Sequence, residues 1–151
     1  MRRKDKEITD CNKIESIILR SAFCRLGMSD NNHPYVVPMS FGYRDSTVYF
    51  HSAPEGRKID ILQNNPNVCI QFDADCRIKK GETACRWGAV FQSAVGFGEA
   101  VFITDSEQKQ LALDIIMKHY SDDAFSYTEA SLQKITVFKV ILEKLTGKEA
   151  A

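Results

Sequence analysis

Alternation of apolar and polar residues dominates this chain and predicts a mainly β structure. Runs of this kind, separated by turn residues, predict about six strands, at 23–28, 35–43, 47–52, 68–72, 87–103 and 135–142. Helical spacing of apolar residues instead marks three segments, which begin near Asp10, Arg57 and Thr104. Because the strands follow one another through short turns, we expect an antiparallel β-barrel with peripheral helices.

The longest predicted strand, 87–103, contains Gly96 and Gly98. Glycine has no Cβ, so these positions permit a bend in the strand or a close approach by a ligand or a partner chain. The pattern does not choose between these two interpretations. Trp87 and Phe97 in the same strand could cover a ligand, but aromatic residues in a barrel strand are more often core, and we favour the core.

The length and the charge of the chain indicate a single domain that does not bind nucleic acid. The 151 residues, with 20 acidic and 20 basic side chains, fit one domain over 1–151. Segments 1–8 and 146–151 are predicted to be mobile tails. A net charge of zero argues against a nucleic-acid partner. Because no long apolar run suggests a membrane span or a secretory leader, we expect a cytoplasmic protein without a membrane partner.

The five cysteines form an odd set without CxxC spacing, which argues against a disulfide framework and against a metal site. Cys24 and Cys69 lie in apolar strands and are predicted to be buried. Cys76 and Cys85 flank a polar segment, 77–82, that we expect to be a loop, so they are candidate exposed thiols without an assigned role. No base partner for a cysteine is evident, and no catalytic residue is assigned.

Arg57 and Lys58 form the most informative pair in the sequence, because they fall on the first turn of a predicted helix. A helix N-terminus has free N–H groups and the positive end of the helix dipole, so it favours an anion. Arginine adds a planar fork that suits phosphate oxygens. A solvated pair at an ordinary helix start is the alternative, but two cations there are unfavourable without a counter-ion. The pattern therefore favours a bound phosphate.

Several short motifs, in order and spacing, resemble the pyridoxamine 5'-phosphate oxidase-like, FMN-binding split-barrel superfamily. These motifs are Val36-Val37-Pro38-Met39-Ser40-Phe41, Phe50-His51-Ser52-Ala53, Gly56-Arg57-Lys58 and Asn65-Pro66-Asn67-Val68. Other segments are similar to its nitroimidazole-resistance branch: Met1-Arg2-Arg3-Lys4, Ala84-Cys85-Arg86-Trp87, Ser93 to Ala100 and Ile116 to Tyr120. The resemblance implies an antiparallel FMN-binding split β-barrel with peripheral helices.

The resemblance also implies where the flavin lies. It places the FMN phosphate on Arg57 and Lys58 and the ribityl chain along His51 and Ser52. The ring is expected against the strand that contains Val36, Val37, Pro38, Met39, Ser40 and Phe41, with Ser93 reaching the flavin from the long strand. Because Pro38 lacks an N–H, this strand is expected to be irregular or to lie at a sheet edge. FAD is the alternative cofactor.

The function that follows is an FMN-dependent oxidoreductase acting on a small acceptor, with a nitroaromatic compound as one candidate, and working as a homodimer with flavin at the interface. Arg57 replaces a histidine that related resistance proteins often carry, which bears on whether their nitro-reducing chemistry applies here. The segment 139–151 lacks the arginine-containing substrate motif of the vitamin oxidases, which argues against pyridoxamine-phosphate oxidation.

Two alternatives remain open. The first is a flavin-binding protein without turnover, serving as a sensor, carrier or buffer. The second, less favoured, is a haem-binding split barrel with His51 or His119 as axial ligand.

Overall fold

A computed structural model describes residues 3–150, and antiparallel strands dominate it. The strands are β1 Glu7–Ile8, β2 Cys24–Asp30, β3 His33–Met39, β4 Gly42–Arg44, β5 Thr47–Ser52, β6 Asn67–Lys79, β7 Gly88–Ile103, β8 Thr136–Ile141 and β9 Lys144–Ala150. The α-helices are α1 Cys11–Arg20, α2 Arg57–Asn64, α3 Ser106–Lys118 and α4 Glu129–Gln133. Within residues 3–150, no helix has the length and apolar character needed to cross a membrane.

Strand β7 organises the sheet, because its two edges have different partners. One edge pairs with β6 from Gly88 to Glu99, while the other pairs with β9 up to Phe97 and with β8 from Ala100. The strand order is β3-β2-β6-β7-β8-β5-β4, and β9 followed by β1 joins the first half of β7. The sheet thus divides at β7 into two parts around a shared core. This arrangement confirms the predicted mainly β, antiparallel split barrel with peripheral helices.

Phenylalanine rings fill the centre of the barrel. Phe41, Phe50, Phe72 and Phe138 are all fully buried. The centroids of Phe41 and Phe72 are 5.1 Å apart in an edge-to-face contact, and those of Phe50 and Phe138 are 5.0 Å apart and stacked. The rings on strands sit at inward positions of the alternating pattern, so the same pattern that predicts the strands also selects the residues of the core.

Residues that follow α3 contact two segments that are distant from it in sequence: the residues before β2 and the residues after β3. The Tyr120 hydroxyl accepts a hydrogen bond from the Phe41 N–H at 3.0 Å and donates one to the Ala22 carbonyl at 3.0 Å. The His119 Nε2 lies 2.8 Å from the Ser21 carbonyl oxygen, and its ring centroid is 4.4 Å from that of Phe41. These contacts hold the end of β3 against the connection between α1 and β2.

Two strand boundaries differ from the prediction. The segment 35–43 is two strands, because β3 ends at Met39 and the Phe41 N–H bonds to Tyr120 instead of to a neighbouring strand. Strand β6 continues to Lys79, through part of the segment predicted to be a loop. It does so because a bulge at Asp75, which has a φ of 56°, restores the pairing with β7.

The prediction of mobile tails at 1–8 and 146–151 was wrong for most of these residues. Residues 144–150 form β9, which pairs with β7, and Glu7–Ile8 pairs in turn with Lys148 and Gly147. The reason is tertiary, since the first half of β7 offers a free edge that β9 completes. Met1, Arg2 and Ala151 lie outside the described residues.

Both glycines of β7 lie against the chain's own atoms. A Cβ at Gly96 would come within 2.8 Å of Leu142 Cδ2, and one at Gly98 would overlap the carbonyl oxygen of Ile141. At this point the chain passes from β8 to β9 and crosses β7, with the Glu143 N–H bonded to the Phe97 carbonyl at 3.0 Å. The close approach at Gly98 is therefore one of backbone to backbone within the fold.

We predict that Gly98→Ala lowers the free energy of unfolding by about 1–3 kcal/mol, since the added methyl group has no space beside Ile141. The matched control is Gly88→Ala in the same strand, where no atom lies within 4 Å of the added Cβ. Urea unfolding followed by circular dichroism measures both variants. Equal stability of the two variants would contradict the backbone contact at Gly98.

Candidate functional site

Helix α2 begins with a positive charge pair and without a side-chain cap. Gly56 precedes the helix at a φ of 130°, which favours glycine, and it has no side-chain oxygen for the N–H groups of the first turn. Its carbonyl accepts hydrogen bonds from the N–H of Ile59 at 2.8 Å and of Asp60 at 3.2 Å. Arg57 and Lys58 follow directly, so positive side chains and the positive end of the helix dipole coincide.

Among residues 3–150, no carboxylate forms an ion pair with either cation. The Lys58 Nζ lies 3.2 Å from the Met39 Sδ, and the Arg57 guanidinium lies over the Tyr35 ring at 4.5 Å from its centroid. Burial lowers the pKa of Lys58 from its ordinary value. The only described acceptor for this half-buried ammonium is the Met39 thioether, which accepts hydrogen bonds weakly. A bound anion would stabilise the charged form of Lys58 and offset the effect of burial.

His51 and Ser52 end strand β5 beside this helix. Surrounding protein atoms lower the pKa of His51, and the positive charge of Lys58 lowers it further. The ring is therefore held towards its neutral form, which has one donor and one acceptor nitrogen. The structure thus brings His51, Ser52, Arg57 and Lys58 together at one end of β5.

Strand β3 is an edge strand, as Pro38 predicted, because it stands last in the strand order next to β2. Its side chains alternate between the two faces of the sheet. Val36 and Pro38 are exposed, Val37 is half-buried, and Met39 is buried against Lys58. Ser40 follows the strand and is half-buried. The edge leaves backbone groups of β3 free to meet a planar ligand.

Phe41 and Ser93 stand apart from this group. Phe41 is fully buried and its N–H is bonded to Tyr120, so its ring and its donor both serve the fold. Ser93 lies on β7, where its Oγ is 3.5 Å from the Lys148 carbonyl oxygen. Strands β2 and β6 separate β7 from β3, a distance of roughly 14 Å. Within one chain, Ser93 is therefore not beside Arg57 and Lys58.

Trp87 and Phe97 were predicted to be core residues, and this prediction was wrong. Trp87 is 52% exposed and Phe97 is 46% exposed. Phe97 points to the outer face of the sheet because it alternates with the buried Gly96 and Gly98 along β7. The pattern identified the strand but not which of its faces meets the core.

Tyr35 was missed by the sequence reasoning, which began its site strand at Val36. The one available signal was the alternation itself, since Tyr35, Val37 and Met39 share a face of β3. The contact with Arg57 joins residues 22 positions apart, which strand spacing does not reveal.

Two cavities lie away from the α2 terminus. One of about 450 Å³ lies beside Ser93 and is lined by Gln71, Asp73, Arg77 and Phe91, among others. The other, of about 520 Å³, lies between α3 and β4 and contains one of the histidines weighed as haem ligands, His119. The Nε2 of His119 is already within hydrogen-bond distance of the Ser21 carbonyl, which gives this ring a structural role.

Residues 10–149 match the family described as pyridoxamine 5'-phosphate oxidase. A crystal structure from Bacteroides thetaiotaomicron, of a protein provisionally assigned to 5-nitroimidazole antibiotic resistance, is 45% identical. It matches 94% of this chain and 85% of its own, with a TM-score of 0.86. An FAD-binding protein from Mesorhizobium loti is 25% identical over 94% of this chain and 96% of its own, with a TM-score of 0.69.

A curated relative, an uncharacterised protein from Rhizobium meliloti, is 29% identical over 58 residues. That match spans 38% of this chain and 38% of the relative, well under half of its length.

Proposed function

The chain belongs to the pyridoxamine 5'-phosphate oxidase family, as its motifs predicted, and we propose that it binds FMN as an oxidoreductase. The observation that carries this proposal is the pair of cations at the uncapped start of α2, which lack a carboxylate partner among the described residues. A phosphate monoester is a dianion that matches two such cations and a helix N-terminus. The similar FAD-binding protein supports a flavin as the bearer of that phosphate.

The residues fit a flavin laid from α2 towards β3. Arg57 and Lys58 would bind the phosphate, and the side chains of His51 and Ser52 would bond the hydroxyl groups of the ribityl chain. The free edge of β3 at Pro38 and the half-buried Ser40 would orient the ring. A bound flavin supplies the redox chemistry, while these residues set its position and its potential.

We predict that Arg57→Ala combined with Lys58→Ala weakens FMN binding at least about 100-fold, since each charge-assisted contact is worth about 1.5–3 kcal/mol. Riboflavin lacks the phosphate, so its dissociation constant should change less than threefold. Fluorescence quenching of each flavin measures both affinities. Arg44→Ala combined with Lys134→Ala, at two exposed cations outside the site, serves as control. An equal loss for FMN and riboflavin would place the phosphate elsewhere.

An oxidoreductase activity distinguishes this proposal from a flavin-binding protein without turnover. The 45% identical structure assigned to nitroimidazole resistance supports a small nitroaromatic acceptor. The exposed outer face beside β3 leaves the ring position open to such a molecule.

We predict that the FMN-loaded protein oxidises a reduced nicotinamide donor only when a nitroaromatic acceptor is present. Under anaerobic conditions, the loss of donor absorbance measures this turnover. The Arg57→Ala and Lys58→Ala double variant, mixed with the same FMN, is the control for free flavin. Full occupancy by FMN with no turnover above that control would favour the sensor, carrier or buffer instead. A Soret band in the purified protein would favour haem.

We also propose a homodimer with the flavin at its interface. A row of four paired residues crosses the outer face of the sheet, from Val36 through Gly27 and Cys69 to Phe97. Val36 and Phe97, at the two ends of this row, are 60% and 46% exposed. The small residues Gly27 and Cys69 lie between them and leave a shallow apolar depression. A second copy on this face would cover the exposed side chains and bring its own Ser93 towards the flavin.

We predict that Phe97→Glu shifts the protein from dimer to monomer and weakens FMN binding at least tenfold, because a carboxylate would be buried in the interface. Light scattering gives the mass and fluorescence quenching gives the affinity. Leu111→Glu, at an exposed leucine of α3, should leave both unchanged. A wild-type monomer with stoichiometric FMN would rule out the interface.

A further inference from the structure

The Arg57 guanidinium lies on an aromatic ring, with its Cζ 4.5 Å from the centroid of Tyr35. We propose that Tyr35 is a positioning residue, which holds Arg57 in the orientation that receives the phosphate of the flavin. This inference rests on the proposed function, because it needs a phosphate at α2. It adds a residue that the motif comparison did not include.

Tyr35 is suited to this role because the core of the barrel restricts the movement of its ring. The residue is half-buried on β3 and packs against the main core cluster of the barrel. Arg57 is exposed at the first position of α2. Because the core holds the Tyr35 ring, the contact with this ring gives the Arg57 side chain a defined position. Ordering that side chain before binding removes part of the entropy cost of binding.

The Tyr35 ring attracts the Arg57 guanidinium without supplying an oxygen acceptor for its N–H groups. A guanidinium has five N–H donors, and a phosphate can accept from them. A carboxylate in the same place would occupy those donors and cancel the charge. The tyrosine ring therefore orients the cation without competing with the phosphate.

Lys58 contacts a thioether and not the Tyr35 ring, so the positioning role of Tyr35 concerns Arg57 only. Its ammonium contacts the Met39 Sδ at 3.2 Å, and an ammonium has no planar fork to orient. Tyr35 should consequently act on the phosphate through Arg57 alone.

The test compares FMN with riboflavin in Tyr35→Leu and Tyr35→Phe. We expect Tyr35→Leu to reduce the preference for FMN over riboflavin about fivefold, which corresponds to the cost of ordering one arginine side chain on binding. Tyr35→Phe retains the ring and should retain the wild-type preference. Melting temperatures without flavin show whether each variant is folded, and Tyr35→Ile is the second variant if Tyr35→Leu fails to fold.

A double-mutant cycle separates positioning from a general structural role. In the Arg57→Ala background, Tyr35→Leu should leave the FMN to riboflavin ratio unchanged, because the residue through which Tyr35 acts is gone. A wild-type ratio in Tyr35→Leu, or the same drop with and without Arg57, would overturn the role of Tyr35 and leave the phosphate site intact. A wild-type protein without any preference for FMN would instead overturn the phosphate site itself.

Discussion

The two edges of β7 are the constraint on which the rest of this structure depends. One edge serves β6, whereas the other is shared between β9 and β8. The exchange of partner requires another segment of the chain to pass directly against β7, and Gly98 permits this because it has no side chain. The division of the sheet, and therefore the shape of the barrel, follows from this crossing.

The candidate site lies beside the edge strand β3, which stands three strands from that crossing in the strand order. Because β3 has only one strand neighbour, its outer edge is free, and α2 packs near its end through the contact of Lys58 with Met39. Tyr120 and His119 hold the link after β3 against the start of β2. The edge available for a ligand is thus supported by a helix that begins about 70 residues further along the sequence.

The charges at the start of α2 come at some cost to the stability of the fold. Two cations at a helix N-terminus oppose the helix dipole, and burial lowers the pKa of Lys58. Stability alone would favour an acidic or capping residue at these positions. The protein instead retains the charges, with an aromatic ring and a thioether as their contacts. The proposed phosphate site accounts for this pattern, since such a site must keep its charge for a ligand at a cost in stability.

The sequence by itself determined most of the strands, the start of α2 and the two cations on its first turn, because alternation and charge are local properties. It also predicted that β3 is irregular or lies at an edge, since Pro38 cannot donate to a ladder, and β3 is an edge strand. Only the tertiary structure decided that 144–150 pair with β7, that Phe41 turns inward, and that the strand of Ser93 lies three strands from β3. It alone placed Tyr35 under Arg57. These features depend on which edge and which face meet across distant parts of the chain, and local periodicity carries no information about such partners.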